Sequence, residues 1–168
     1  MAFFCNTDVL KVIYFSLIHS HLSYGIVLYG ATSKYNLQKL LILQKRAIRI
    51  MLNLGWNESV KSRFADLGIL TVFGLYIFEV IKYTKQFHLP LLDKKAVHSY
   101  NTRHQNYMVE QHNLQFFTKK PTYMGIKFIG GLPTNIKKET NIEKFIKVLK
   151  DYLVGRPLYS FEEFFQSE

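Results

Sequence analysis

Apolar residues at helical spacing, punctuated by capping residues and glycines, recur through the first half of the chain and leave little room for any but a helical fold. Thr7-Asp8 is an N-cap signal, followed at that spacing by Leu10, Ile13, Tyr14, Leu17, His21, Tyr24 and Leu28. A first helix is expected there, with Gly25 and Gly30 permitting a bend and an end. On a wheel of 100° per residue its polar arc holds only Ser16, His19, Ser20 and Ser23. It is therefore expected to be covered on most sides, as the central helix of a bundle is, with His21 as a hydrogen-bonded core histidine. Ser33 caps a second helix running to about Asn53, with Leu37, Leu40, Leu41, Gln44, Ala47, Ile48 and Met51 on one face and Gly55 as its expected stop. Glu58 to Leu67 is a short third helix closed by Gly68. Thr71 caps a fourth, from Val72 to about Phe87, ended by Leu89-Pro90. Four helices with short connections predict an antiparallel bundle over residues 1–87.

From His88 to Lys120 polar residues dominate and the periodicity fades, apart from a short strand expected at Asn113 to Thr118. Residues 88–120 are read as an irregular segment wrapping the bundle. Residues 121–168 form a C-terminal helical region: Pro121 opens a helix that stops at Gly130-Gly131-Leu132-Pro133, Asn141 caps another with Ile142, Phe145, Val148, Leu149, Tyr152 and Leu153 inward, and Ser160 to Gln166 adds a final turn. The expected fold is thus mainly α. It comprises a four-helix bundle, an irregular wrap with at most short strands, and one or two C-terminal helices.

At 168 residues the chain is long enough to bury a sizeable core. Its one cysteine, Cys5, excludes an intrachain disulfide and a Cys-based zinc site, and points to a reducing, intracellular setting, cytoplasmic or nuclear. The first residues lack the basic, apolar and small-residue succession of a secretory signal. Residues 9–29 are nearly long enough to span a bilayer, but Lys11, His19 and His21 at those depths would cost several kcal/mol, on the order of 2.5–3.5 for a central lysine alone. No membrane span is expected.

Charge is distributed unevenly. The formal net charge is +10, and no acidic residue occurs between Asp8 and Glu58, where Lys11, Lys34, Lys39, Lys45, Arg46 and Arg49 lie. On the second helix the arc opposite the apolar face holds Gln38, Lys39, Lys45, Arg46, Arg49 and Asn53, so a core stripe is backed by a basic one. Such a stripe suits phosphate backbones. Elsewhere basic and acidic groups mix, and Lys144, Lys147 and Lys150 with Glu143 and Asp151 form an ordinary solvated face.

Catalytic patterns are missing. His19 and His21, two apart on a helix, point to different faces, and His88, His98, His104 and His112 have no spaced carboxylate or thiolate partners, so no metal site or cofactor is expected. Two-metal nucleotidyl transfer needs converging carboxylates. The chain has no Asp-Asp pair, Phe64-Ala65-Asp66-Leu67 carries a single aspartate, and the adjacent Glu162 and Glu163 point apart. No catalytic residue is identified, and the isolated chain is not expected to be an enzyme.

Ile18-His19-Ser20-His21-Leu22-Ser23-Tyr24-Gly25-Ile26, followed by Leu43-Gln44-Lys45-Arg46-Ala47-Ile48-Arg49-Ile50, resembles the C-terminal part of reverse transcriptases of Jockey-like non-LTR retrotransposons. Leu67-Gly68-Ile69-Leu70 with Leu75-Tyr76, Tyr100-Asn101-Thr102-Arg103-His104, Tyr123-Met124-Gly125-Ile126-Lys127 with Leu132-Pro133, and Phe145 to Leu153 with Tyr159-Ser160-Phe161-Glu162-Glu163-Phe164 resemble the blocks that follow in that family, in the same order. The resemblance spans about residues 8–166. Two departures stand out: Tyr29 replaces the usual tryptophan before glycine, and Ile129-Gly130-Gly131 replaces a Trp-Asn-Ser-like stretch.

The resemblance implies a thumb and post-thumb region of an RNA-directed DNA polymerase, with fingers, palm and catalytic aspartates upstream, hence a truncated or remnant transposable element. It implies nucleic-acid contact by Lys45, Arg46 and Arg49 and more weakly by Arg103; Lys39 joins them on the basic arc. The leading expectation is binding to RNA, DNA or an RNA–DNA hybrid. The alternative is a non-catalytic interaction or structural module that self-associates through exposed apolar surface. Attachment to an anionic membrane surface is a third.

Overall fold

The computed structural model describes residues 6–87 and 112–166, which are all-α and contain no strand. The expected end at Leu89-Pro90, most of the expected wrapping segment and Arg103 lie outside the described residues. Two compact units divide the chain, one of residues 1–76 with 151–168 and the other of residues 77–150.

In the first unit, helix α1 (Thr7–Ile13) runs without a break into a π-helical stretch, Tyr14–His19, and then α2 (Ser20–Ser23). Gly25 turns left-handed at φ 66°, a conformation glycine adopts without steric penalty, and α3 (Ile26–Tyr29) follows. This region departs from the expectation of a helix covered on most sides. Tyr14, Leu22 and Ile26 are buried, whereas Val12, Leu17, Tyr24 and Leu28 are 60–86% exposed and His21 faces solvent. On the 100° wheel the exposed side chains fall on one continuous flank, from Val12 through Ser16 and Leu17 to His21, and the buried ones on the opposite flank, so the run keeps its register and is covered on one side alone. Ser16 and Ser23 meanwhile bond back to the carbonyls of Val12 (2.8 Å) and Ser20 (3.1 Å) on their own helix.

Helix α4 (Lys34–Met51) follows the sequence pattern closely. Ser33 accepts from the Asn36 amide, and Leu37, Leu41, Gln44 and Ile48 are buried. The helix ends earlier than Gly55, at a left-handed Asn53 (φ 53°), where the Leu54 amide donates to Arg49 O at 2.9 Å. Asparagine is the non-glycine residue that tolerates this geometry best. Helix α5 (Lys61–Leu67) closes in the same way at Gly68 (φ 67°), with the Ile69 amide on Phe64 O at 2.8 Å.

Gln44 explains how a polar side chain sits inside the apolar face. Its Nε2 donates to Tyr14 Oη (2.8 Å) and Leu70 O (3.2 Å), and its Oε1 accepts from the Val72 amide (2.7 Å), the first residue of α6 (Val72–Gln86). One amide thus ties the π-helical stretch, α4 and the start of α6 together. Burial pushes the Tyr14 phenol up to about 12, the Gln44 bond acting the other way. Thr71 accepts from the Gly74 amide and donates to Leu158 O at 2.6 Å, attaching the C-terminal tail. A Cβ on Gly30 would lie 2.1 Å from the Tyr76 ring, so only glycine fits beside it.

The second unit contains the remainder of α6, a 3-10 turn (Gln115–Lys119) where a short strand was expected, α7 (Pro121–Gly130), α8 (Thr134–Lys137) and most of α9 (Ile142–Val154). Phe117 and Lys120 bond back to Leu114 and Phe117, closing local turns that leave no extended backbone for a ladder. Pro121 opens α7, and Asn141 caps α9 by accepting from the Lys144 amide at 3.1 Å. Phe128, Ile129, Leu132, Ile136, Phe145 and Leu149 are buried with Val80 and Ile81. Gly125 abuts Thr84 closely enough that a Cβ would fall 1.8 Å from its hydroxyl.

The tail of the first unit ends in α10 (Phe161–Phe165), capped by Ser160. No single helix among the described residues is long and apolar enough to cross a membrane; Lys61–Leu67 and Val72–Gln86 meet the length and composition only as a pair bent by 50°.

Candidate nucleic-acid interface

The outer face of α4 carries the basic residues, and the fold gives each a different environment. Lys39 is exposed, with Nζ 4.3 Å from the centre of the Tyr35 ring. Arg46 is exposed, with its guanidinium 5.2 Å from the centre of Trp56. Lys45 is half-buried, with Nζ 3.8 Å above Tyr159 of the tail. Burial lowers the Lys45 pKa, the Arg49 and Lys61 charges add to this, and Glu163 opposes it. Arg49 donates twice to Glu58 O, from Nε (3.1 Å) and Nη2 (2.9 Å), and so pins the loop between α4 and α5.

Among the described residues, none of these four cations has a carboxylate within salt-bridge distance. The stretch that is free of acids in sequence is not free of them in space. Glu162 reaches Lys34 at the start of α4 at 2.8 Å, and Glu163 reaches Lys61 of α5 at 3.1 Å, so the tail brings two carboxylates beside a helix that has none of its own. The two glutamates point apart, each to its own lysine.

Lys61 and Tyr159 belong to this surface although the basic stripe alone does not reveal them. The Lys61 ammonium lies 5.1 Å from the centre of the same Tyr159 ring that Lys45 covers. Lys39, Lys45, Arg46 and Arg49 span about 15 Å of helix at 1.5 Å per residue, an arc of about 120°. Their arrangement can neutralise several phosphates of one backbone.

Apolar side chains share the face. Tyr35, Ile42, Leu43, Ile50 and Trp56 are 47–71% exposed. Leaving most of a tryptophan in water forgoes roughly 3 kcal/mol of burial. Trp56 is the single tryptophan of the chain and follows Gly55 in a loop; its solitary position beside a helix stop was the available signal in sequence.

No group of three or more His, Cys, Asp or Glu residues among those described could hold a metal ion. The surface has the chemistry of an anion contact. Comparison with protein-family models, with curated proteins and with solved structures returns no match.

Proposed function

We propose that this chain is the thumb and post-thumb part of a non-LTR, Jockey-like RNA-directed DNA polymerase, with a thumb-like bundle that grips the backbone of RNA, DNA or their hybrid. It performs no chemistry alone, acts in the cytoplasm or nucleus, and needs no cofactor. The observation that carries this reading is the row of four cations on α4 that, among the described residues, have no carboxylate at salt-bridge distance, whereas Lys34 and Lys61 do. Arg103, on the Asn-Thr-Arg block, joins them through the family resemblance alone.

Four neutralised phosphates correspond to a slope of about −3.6 in log affinity against log salt, or roughly 150-fold weaker binding between 50 and 200 mM. The test is binding of the full chain to a labelled RNA–DNA hybrid across that range, beside Lys39→Ala/Arg46→Ala. Both residues are exposed, so the variant keeps the core, and its slope should be shallower by about 2. Binding without a salt slope would refute the reading. The second reading, an interaction module, draws on the exposed Val12, Leu17, Leu28, Ile42 and Ile50.

A further inference from the structure

We infer that the outer face of α4 with Trp56 takes the unpaired bases of a single-stranded nucleic acid, stacking them on the Trp56 and Tyr35 rings while Arg46 and Lys39 meet the phosphates. This rests on the nucleic-acid reading above and specifies the strand chemistry. Trp56 is held in place while remaining 71% exposed: Arg49 pins its loop through Glu58 O, and the Gly55 amide donates to the Glu58 carboxylate at 2.7 Å. The Arg46 guanidinium lies over the ring, 5.2 Å from its centre, and most of the Trp56 side chain stays in solvent. Tyr35, 67% exposed beside Lys39, repeats the pairing of ring and cation at the opposite end of the helix.

Tyr35, Lys39 and Arg46 fall within about 40° of one another around α4, and Tyr35 and Arg46 are about 16 Å apart along it. Exposed Ile42 and Leu43 lie between them, with no acidic side chain anywhere on the helix. A duplex offers this surface phosphates but keeps its bases paired and stacked inward, leaving both rings in water. A single strand offers phosphates and base faces together, and every base has a π-face, so recognition is tolerant of sequence.

The probe is a fluorescein-labelled 15-mer of oligo(U), compared with an abasic 15-mer of equal charge, using the full chain. Trp56 emission, which is site-specific because there is one tryptophan, should be quenched by oligo(U) and unchanged by the abasic strand. Trp56→Ala and Tyr35→Ala should each weaken oligo(U) binding by roughly 5- to 150-fold, Trp56→Phe should largely restore it, and the salt slope should not change. Equal binding of the two strands with a retained salt slope would overturn stacking and leave the backbone grip standing. Absence of binding to both strands and to the hybrid would overturn the two together. A concentration-dependent blue shift of Trp56 emission without oligonucleotide would put a second copy on this face and also overturn the inference.

Discussion

Helix α4 and the helical stretch from Thr7 to Tyr29 have comparably periodic sequences, yet they behave differently in the fold. In α4 the apolar face, the Ser33 cap and the basic arc all fall where a regular 3.6-residue period puts them, with Lys39 and Arg46 of that arc in solvent. In the first stretch the same period holds, but one flank is left uncovered, and Leu17, Tyr24 and Leu28, expected inward, emerge in water. Periodicity locates a helix's faces, but how wide a sector is covered depends on what packs against it.

The largest expected effect falls on the amide that joins the two regions. Gln44→Leu would leave Tyr14 Oη without its donor, Leu70 O with one fewer and the Val72 amide without its acceptor, all in a buried site. At about 1–3 kcal/mol for each unsatisfied group, denaturant unfolding should show a loss of roughly 3–5 kcal/mol. A loss under about 1 kcal/mol would mean that the joint is not needed to hold α4 against the π-helical stretch.

A matched pair of leucines separates the regions next. Leu41→Ala on α4 should cost about 2–5 kcal/mol, because its side chain is fully buried. Leu17→Ala should change stability by less than about 0.5 kcal/mol, since Leu17 is 60% exposed. Equal losses at both sites would restore the central-helix picture that the sequence period alone suggests.

These residues also mark how far the sequence was legible. Ser33, Thr71, Gly68 and Asn141 announce their caps and stops because capping is local chemistry. The π-helical stretch carries no proline or glycine of its own to announce it. Glu162 and Glu163 lie more than a hundred residues from the lysines they neutralise, so no window along the chain joins them. The Trp56 platform likewise depends on Arg49 folding a loop back onto α4.

The smallest effect concerns the contact between the tail and the start of α4. The Lys34 hydrogen bond, a backbone bond and Ser160 together pull the Glu162 carboxyl from 4.5 to about 2. A carboxyl that binds its proton more weakly in the folded state stabilises the fold above its ordinary pKa, and that stability is lost as pH falls from 4.5 toward about 2. The pair is exposed, so wild type should exceed Glu162→Gln by no more than about 1 kcal/mol at pH 7, with the difference vanishing near pH 2. A constant difference across that range would remove the ion pair from the account.

Under the proposed function, positive charge on α4 acts by position and not by number. The most direct measurement is the salt slope of hybrid binding for Lys39→Ala/Arg46→Ala beside a charge-matched control, Lys144→Ala/Lys147→Ala, on the mixed face of α9. The slope should be shallower by about 2 for the α4 variant and near wild type for the α9 control. Equal loss in both would mean that net charge alone attracts the nucleic acid, and would contradict a binding face on α4.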